Sequence, residues 1–314
     1  MSHFNLAVIS DGTKSLDEML APFNEQAEEP EYCEFANIEE ECREKYENGT
    51  EEGVRVVSTG EILSTYDDVF LVNISEEEYH TRRSNGERGL HTRYQDGQYS
   101  YYGYEYGENE LGEFPLCKIY DTFEEYMESE GYTKDEKMEA YGYWFNPNAK
   151  YDWWEIGGRW RGMLKATRGE RGFRYFGSAG EEKEGYYDIA KIKDVDFSLD
   201  QDAYKRAIRF WEVVVEGSPL QNGEKDEDFC SYWKVEYYRE RYGNKEQYAQ
   251  EIALFSTFAV LTVDGEWHEC GKMGWFGCSD ESADEAREWY NNWYDMFIKN
   301  ANPEHDIIIV DCHI

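Results

Sequence analysis

The amino-acid sequence predicts an α+β fold in which an antiparallel or mixed sheet packs against helices. The last quarter reads as a strand, a hairpin return, a helix and a final strand, an order typical of α+β proteins rather than doubly wound sheets. Residues 4–9 also read as an apolar strand. If this strand and residues 307–314 lie in one sheet, the two ends of the chain meet there. We divide the chain into residues 1–140, with an acidic helix and a Tyr-rich loop, and the Trp-rich residues 141–314.

Local signals in the first half predict short elements separated by turns. Ser15 followed by Glu18 matches a capping box and predicts the start of a helix. Residues 69–74 read as a buried strand, and residues 122–129 as a short helix. Residues 79–106 are rich in Tyr, Gly and Arg with poor periodicity, so we expect a long loop or an irregular hairpin there.

The second half predicts longer helices. Residues 151–176 alternate aromatic and polar side chains, as in a strand or hairpin. Residues 200–215 and 232–255 have helical spacing, which is broken near Gly243 in the second stretch. Asp264-Gly265 is a tight hairpin signal, and the helix after it carries an apolar ridge at i, i+4 and i+8 formed by Trp289, Trp293 and Phe297.

Composition and charge disfavour several classes of protein. The chain has 68 Asp+Glu against 32 Lys+Arg, a formal charge of −36, and 17% of its residues are aromatic. A direct nucleic-acid binder needs a cationic face, and a disordered acidic chain is poor in aromatics. The longest apolar run is far shorter than a membrane helix, and the start lacks the pattern of a secretory signal. We expect a folded cytoplasmic protein, with no cofactor indicated and a homo-oligomer compatible with the sequence.

The cysteines and histidines indicate no disulfide framework. There are seven cysteines, an odd number without a CxxC pair, which favours reduced thiols. The last quarter of the chain contains a group of cysteines and histidines, with Asp311 beside the last two: His268, Cys270, Cys278, Cys312 and His313. Two functional interpretations remain for this group: a metal site formed by His268, Cys270 and Cys312, and a catalytic Cys–His pair. The simplest interpretation is that the thiols are buried and the imidazoles have no special role. Adjacent strand residues such as Cys312 and His313 point to opposite faces, which argues against one site containing both.

A Trp-rich block spans residues 146–160 and contains Gly157-Gly158-Arg159-Trp160. It opens the only basic island, residues 159–174, whose charge is +5 in a chain at −36. One interpretation is a pocket for an anionic small ligand such as a nucleotide, and its candidate residues are Gly157, Gly158, Arg159, Trp160, Arg161 and Arg168. The other is an aromatic hairpin whose arginines pair with the protein's own carboxylates, and we favour it slightly because such partners are abundant.

Residues 25–52 are strongly acidic, with twelve Glu against Arg43 and Lys45. A charged run of this kind is usually a solvated helix face, and the alternative is a surface that meets a basic partner. Tyr-rich segments give contact area at low entropic cost. The candidate partner-binding residues are therefore Glu28, Glu29, Glu39, Glu40, Glu41, Tyr99, Tyr101 and Tyr102.

Four blocks resemble a family of uncharacterised proteins encoded in tailed-phage and prophage genomes. They are residues 1–4 (Met-Ser-His-Phe), the block at 146–160, the Gly-rich loop at 271–277 and Asp-Cys-His at 311–313. The Gly-rich loop lacks the phosphate-binding P-loop pattern, and a tight connection is its simpler use. The resemblance implies a phage accessory protein acting in the bacterial cytoplasm, and it transfers no catalytic residue.

Three functions follow as hypotheses. The first is an inhibitor of a host defence protein that handles nucleic acid, bound through an acidic surface that mimics DNA. The second is binding or turnover of an anionic small molecule, such as a nucleotide signal, at Gly157–Trp160 and the basic island, with His268 or His313 as acid–base groups. The third is that the charge serves solubility alone.

Overall fold

The computed structural model describes residues 2–95, 97–172, 183–274 and 278–314. The chain forms two compact units. The first, which we call the sheet unit, comprises Met1–Cys33 and Asn146–Ile314; the second, the acidic unit, is Glu34–Phe145. The division expected at residue 140 lies close to one boundary, whereas the first 33 residues belong with the C-terminal region because their strand pairs with the last one.

The elements are short and numerous. The strands are β1 (His3–Ser10), β2 (Glu34–Asn37), β3 (Thr50–Arg55), β4 (Ile62–Ser64), β5 (Leu71–Ile74), β6 (His91–Gln95), β7 (Gln98–Tyr104), β8 (Glu110–Pro115), β9 (Lys134–Asp135), β10 (Ala140–Phe145), β11 (Trp153–Ile156), β12 (Leu164–Lys165), β13 (Tyr186–Tyr187), β14 (Ile189–Lys191), β15 (Ala259–Leu261), β16 (Trp267–Glu269) and β17 (Asp306–His313). The helices are α1 (Leu16–Leu20), α2 (Glu39–Asn48), α3 (Glu76–Ser84), α4 (Leu116–Ile119), α5 (Phe123–Ser129), α6 (Gln201–Phe210), α7 (Val235–Tyr242), α8 (Lys245–Ala253) and α9 (Ala283–Phe297). No helix in the described ranges is both long and apolar enough to cross a bilayer.

A mixed sheet organises the sheet unit. Its order is β11-β17-β1-β15-β16, and β14 also pairs with β17. β1 and β17 are antiparallel over eight residue pairs, from His3 opposite His313 to Ser10 opposite Asp306. β1 and β15 are parallel. The predicted α+β class is confirmed, and so is the expectation that the first and last strands share one sheet.

The two faces of this sheet carry separate cores, as strand alternation requires. Phe4, Leu6 and Val8 of β1 pack with α1 residues such as Leu20 and with Tyr151, and we call this cluster the α1-side core. The opposite cluster, the α9-side core, includes Ala7, Ile9, Ile307, Ile309 and the fully buried Trp293. The ridge predicted for the last helix therefore covers one face of the sheet.

Capping residues begin helices of this unit, and one of these caps was predicted. Ser15 and Glu18 form the predicted capping box of α1. Asp200 caps α6 by accepting backbone N–H groups, and a π-helical turn extends that helix to Val215. Gly243 separates α7 from α8 with φ +76°, which confirms the predicted break.

Three small sheets form the acidic unit, in the orders β2-β10-β9, β4-β3-β8 and β5-β7-β6. The helix predicted at 122–129 is confirmed as α5, capped by Thr122. Residues 69–74 are only partly the expected buried strand, because a 3₁₀ turn precedes the four-residue β5. Residues 79–106 are more regular than expected: they contain most of α3 and a hairpin of β6 and β7.

Candidate functional site

One end of the sheet becomes polar on the face that holds the α9-side core. Residues directly opposite in paired strands share a face, and the register aligns two rows across β1, β17 and β11. The rows are His3–His313–Trp153 and Asn5–Asp311–Glu155. Further along β1 and β17 the same face is apolar, with Ala7 opposite Ile309. Six side chains with polar groups therefore lie together where a core would otherwise continue.

Two histidine–aspartate pairs dominate this polar face. His3 Nδ1 lies 2.8 Å from Asp311 Oδ1, and His313 Nδ1 lies 2.6 Å from Asp152 Oδ1. The two imidazole rings meet edge to face, with centroids 4.8 Å apart. The side chains of His3 and His313 are 13% and 15% exposed. Both rings are held in place yet remain reachable from solvent.

The carboxylates determine which ring nitrogen is available for chemistry. A carboxylate accepts a hydrogen bond, so each Nδ1 carries its proton toward the aspartate and Nε2 carries the lone pair of the neutral ring. This arrangement orients an imidazole. Imidazole is also the side chain that ordinarily exchanges protons near neutral pH. The pair of rings can therefore take up one proton and release another.

Glu155 adds a third acid–base group. Burial raises the pKa of its carboxyl group, and the neighbouring Asp311 raises it further, while Arg161 acts in the opposite sense. A carboxyl group with a raised pKa stays protonated up to a higher pH than an exposed carboxyl group does. Perturbed carboxyl groups beside histidines are typical of functional sites, although buried charge networks also produce them.

The Gly157-Gly158 turn is built against buried carboxylates. Gly157 has φ +77° and Gly158 φ +47°, a region that disfavours side chains. A Cβ on Gly158 would lie 2.3 Å from Asp311 Oδ2, and one on Gly157 would lie 2.8 Å from the carboxylate of Asp188. The N–H of Arg159 donates to Asp311 Oδ2 at 2.8 Å. The glycines thus let the backbone approach the aspartate that orients His3.

Part of the basic island serves the protein's own fold. Lys165 pairs with Asp196 and Arg168 pairs with Asp194, both at 2.7 Å. Trp160 packs against the α9-side core. Arg159 is exposed, and its guanidinium forms no ion pair with any residue of the described ranges. The pairing interpretation therefore holds for Lys165 and Arg168, whereas Arg159 is exposed on the turn whose backbone contacts Asp311.

The predicted Cys/His group does not assemble. Cys312 points into the α1-side core, away from His313, and burial raises the pKa of its thiol. Cys270 also packs against that core, and burial raises its pKa to about 12. His268 lies on β16 near Glu266 and the ring of Phe297. Among the residues that the structure describes, no three His, Cys, Asp or Glu side chains are placed to hold a metal ion.

The acidic helix α2 has two distinct sides. Ile38, Cys42 and Tyr46, at i, i+4 and i+8, pack into the core of the acidic unit. The opposite side exposes Glu40, Glu41, Glu44 and Glu47. The two cations of the helix are engaged elsewhere: Arg43 bonds to Glu39 and covers the ring of Phe123, and Lys45 bonds to Glu130. The exposed glutamates thus form one coherent negative surface, which we call the α2 face.

The other candidate partner-binding residues belong to other elements of the chain. Glu28 and Glu29 belong to the sheet unit. Tyr99 is 62% exposed on β7 and contacts the ring of Tyr94. Tyr101 donates its hydroxyl hydrogen to Glu76, and Tyr102 lies under Arg93. The Tyr-rich hairpin is thus partly occupied by contacts within its own unit.

Sequence reasoning missed His3, Asp152 and Glu155 as functional candidates. Their association depends on the pairing of the first and last strands, which sequence analysis suggested without fixing the register. Ser2, in the first of the blocks that carry the resemblance, donates its hydroxyl hydrogen to the carbonyl of Gly274 in the Gly-rich loop at 2.8 Å, and its neighbour His3 bonds to Asp311. Comparison with protein-family models, curated proteins and solved structures finds no match.

Gly158→Ala tests how tightly the turn is built on Asp311. The added Cβ would overlap the Asp311 carboxylate, so we expect it to lower the free energy of unfolding by more than the roughly 1 kcal/mol of a simple glycine effect. Gly162→Ala is the matched control, since Gly162 also has positive φ but a Cβ there meets only an ordinary contact at 3.6 Å. Urea denaturation measures both, and equal losses would contradict this description of the turn.

Proposed function

We propose that the sheet unit performs general acid–base chemistry on an anionic small molecule bound at the polar face. The observation that carries this proposal is the pair of adjacent imidazoles, each held through Nδ1 by an aspartate. One aspartate also accepts the N–H of Arg159 and so joins the pair to the Gly-Gly turn. Of the two histidines first considered as acid–base groups, the geometry favours His313, with His3 as its partner.

The arrangement suits a reaction in which one proton is removed and another delivered. A neutral imidazole accepts a proton at Nε2, and a protonated one donates from the same atom. With their ring centroids 4.8 Å apart on one face, the two imidazoles are close enough for a single bound molecule to reach both. Besides the two imidazoles, the carboxyl group of Glu155, whose pKa is raised, can also hold a proton on the same face. The enzyme itself then needs no group other than these side chains to complete a proton-transfer cycle.

Local charges decide whether an anion can bind to so acidic a protein. Charges farther away than the Debye length, about 8 Å at physiological ionic strength, are largely screened. Near the polar face, Arg159 and Arg161 are always cationic, and each protonated imidazole adds a positive charge. Asp311 and Asp152 are already engaged with the histidines. We expect these local cations, rather than the net charge of the protein, to decide whether an anion binds.

His3→Gln and His313→Gln test the proposal. Glutamine keeps a polar group of similar size but cannot exchange protons, so each change should lower kcat/KM by about 100-fold or more. Substrates are found first by thermal-shift screening against nucleotides and other phosphate compounds, followed by product analysis. His268→Gln is the control, because His268 lies on β16 near Glu266, outside the polar face. A rate unchanged in both site variants, or no ligand for the wild-type protein, contradicts the proposal.

A second candidate function is inhibition of a basic partner through the α2 face. The acidic unit has 28 Asp+Glu against 10 Lys+Arg, so 112 residues carry −18, half of the total charge. The observation in favour is that the glutamates of α2 are gathered on one side of a packed helix. Such a surface attracts cationic grooves and gives fast, salt-sensitive association. In a phage protein, the partner would be a host defence protein that handles nucleic acid in the bacterial cytoplasm.

Charge reversal on α2 tests this second function. Glu40, Glu44 and Glu47 changed together to Lys should abolish salt-sensitive capture of a partner from bacterial lysate. Reversal of three exposed glutamates elsewhere in the unit, Glu61, Glu108 and Glu136, makes the same change in net charge. Equal losses in both variants would show that total charge alone acts, and absence of any salt-sensitive partner across defence-bearing strains would count against an inhibitor.

A further inference from the structure

We propose that the substrate of the polar face is a nucleoside phosphodiester, and that Trp153 is the platform on which its base stacks. This inference rests on the acid–base function proposed above and adds the class of substrate and the residue that selects it. Trp153 and the two imidazoles lie where β11 begins and β17 ends, and the Gly-Gly turn follows the other end of β11 and contacts Asp311 of the same face through the N–H of Arg159. The base and the phosphate of a nucleoside phosphodiester each have a matching group on this face.

Trp153 is placed to meet an aromatic ring. It lies in the same row as His3 and His313 and therefore on the same face of the sheet. Its side chain is 44% exposed, and its ring centroid lies 6.4 Å from that of His313 in an edge-to-face arrangement. An exposed indole offers a flat surface to a base.

The chemistry of the face supports attack by water, which a neutral imidazole can deprotonate. The six side chains of the two rows include no hydroxyl, thiol or amine, and the nearby thiol of Cys312 is buried on the opposite face. Acid and base are both present, as hydrolysis of a phosphodiester requires. Arg159, exposed at the adjoining turn, supplies positive charge for the phosphate oxygens.

The proposed step is a hydrolysis without change of oxidation state. One neutral imidazole removes a proton from water at its Nε2 atom. The water oxygen forms a bond to phosphorus as one ester P–O bond breaks. The second imidazole, which begins protonated, gives its proton to the departing alkoxide. The products are a phosphomonoester and an alcohol, and the two rings have exchanged protonation states.

Paired substrates with and without a base test the role of Trp153. The probes are 2′,3′-cyclic AMP, cyclic di-AMP and the dinucleotide ApA, compared with glycerol 1,2-cyclic phosphate. Base stacking contributes enough that Trp153→Leu should lower kcat/KM for the nucleotide that is turned over by about tenfold or more. Trp153→Phe should retain most of the rate, and glycerol 1,2-cyclic phosphate should respond to neither change.

Binding measurements separate failure of this inference from failure of the acid–base function. In protein carrying both His3→Gln and His313→Gln, calorimetry should still show nucleotide binding that Trp153→Leu weakens. If the nucleotides bind in this way but are never hydrolysed by wild-type protein, the acid–base function is wrong and the stacking site stands. If the protein hydrolyses substrates equally well with and without a base, or if Trp153→Leu changes neither binding nor rate, the substrate class proposed here is wrong.

Discussion

The antiparallel pairing of β1 with β17 is the constraint on which the rest of the sheet unit depends. It joins residues that are about 300 positions apart in sequence and places His3 opposite His313. A slip of one residue would turn one of the strands over, so that Asp311 and His3 would lie on different faces. The apolar pairs farther along, such as Ala7 with Ile309, fix the register because they must remain in the α9-side core. The packing of the core thereby determines the geometry of the polar face.

Much of the fold could be predicted because its signals are local. Capping residues such as Ser15 and Asp200 act within one turn of the helix that they start. The polar face is different, since no spacing along the chain brings Asp152 near His313 or His3 near Asp311. Strand alternation did separate Cys312 from His313 correctly, because that rule applies to neighbouring residues. A site whose residues are brought together by long-range strand pairing can be predicted only if the register of that pairing is known. Hydrophobic patterns alone do not determine this register.

The excess of negative charge has no single role in this structure. On α2 it forms an ordered surface, because the apolar stripe of the helix fixes the direction of its glutamates. At the end of the mixed sheet, individual carboxylates instead act through contacts: Asp311 orients His3 and accepts the N–H of Arg159. Such buried contacts are specific and little affected by salt, whereas the field of the α2 face is screened within a short distance. The two proposed functions therefore use different physical properties of the same side chains.

Nitrogen NMR of the two imidazoles tests the central claim most directly. Spectra that resolve Nδ1 and Nε2 report which nitrogen carries the proton in each neutral ring. We predict that both His3 and His313 carry it on Nδ1, and that a bound phosphodiester shifts the Nε2 resonances of both rings together. Rings that exchange freely between the two tautomers, or a ligand that shifts neither Nε2 resonance, would contradict an acid–base pair oriented by Asp311 and Asp152.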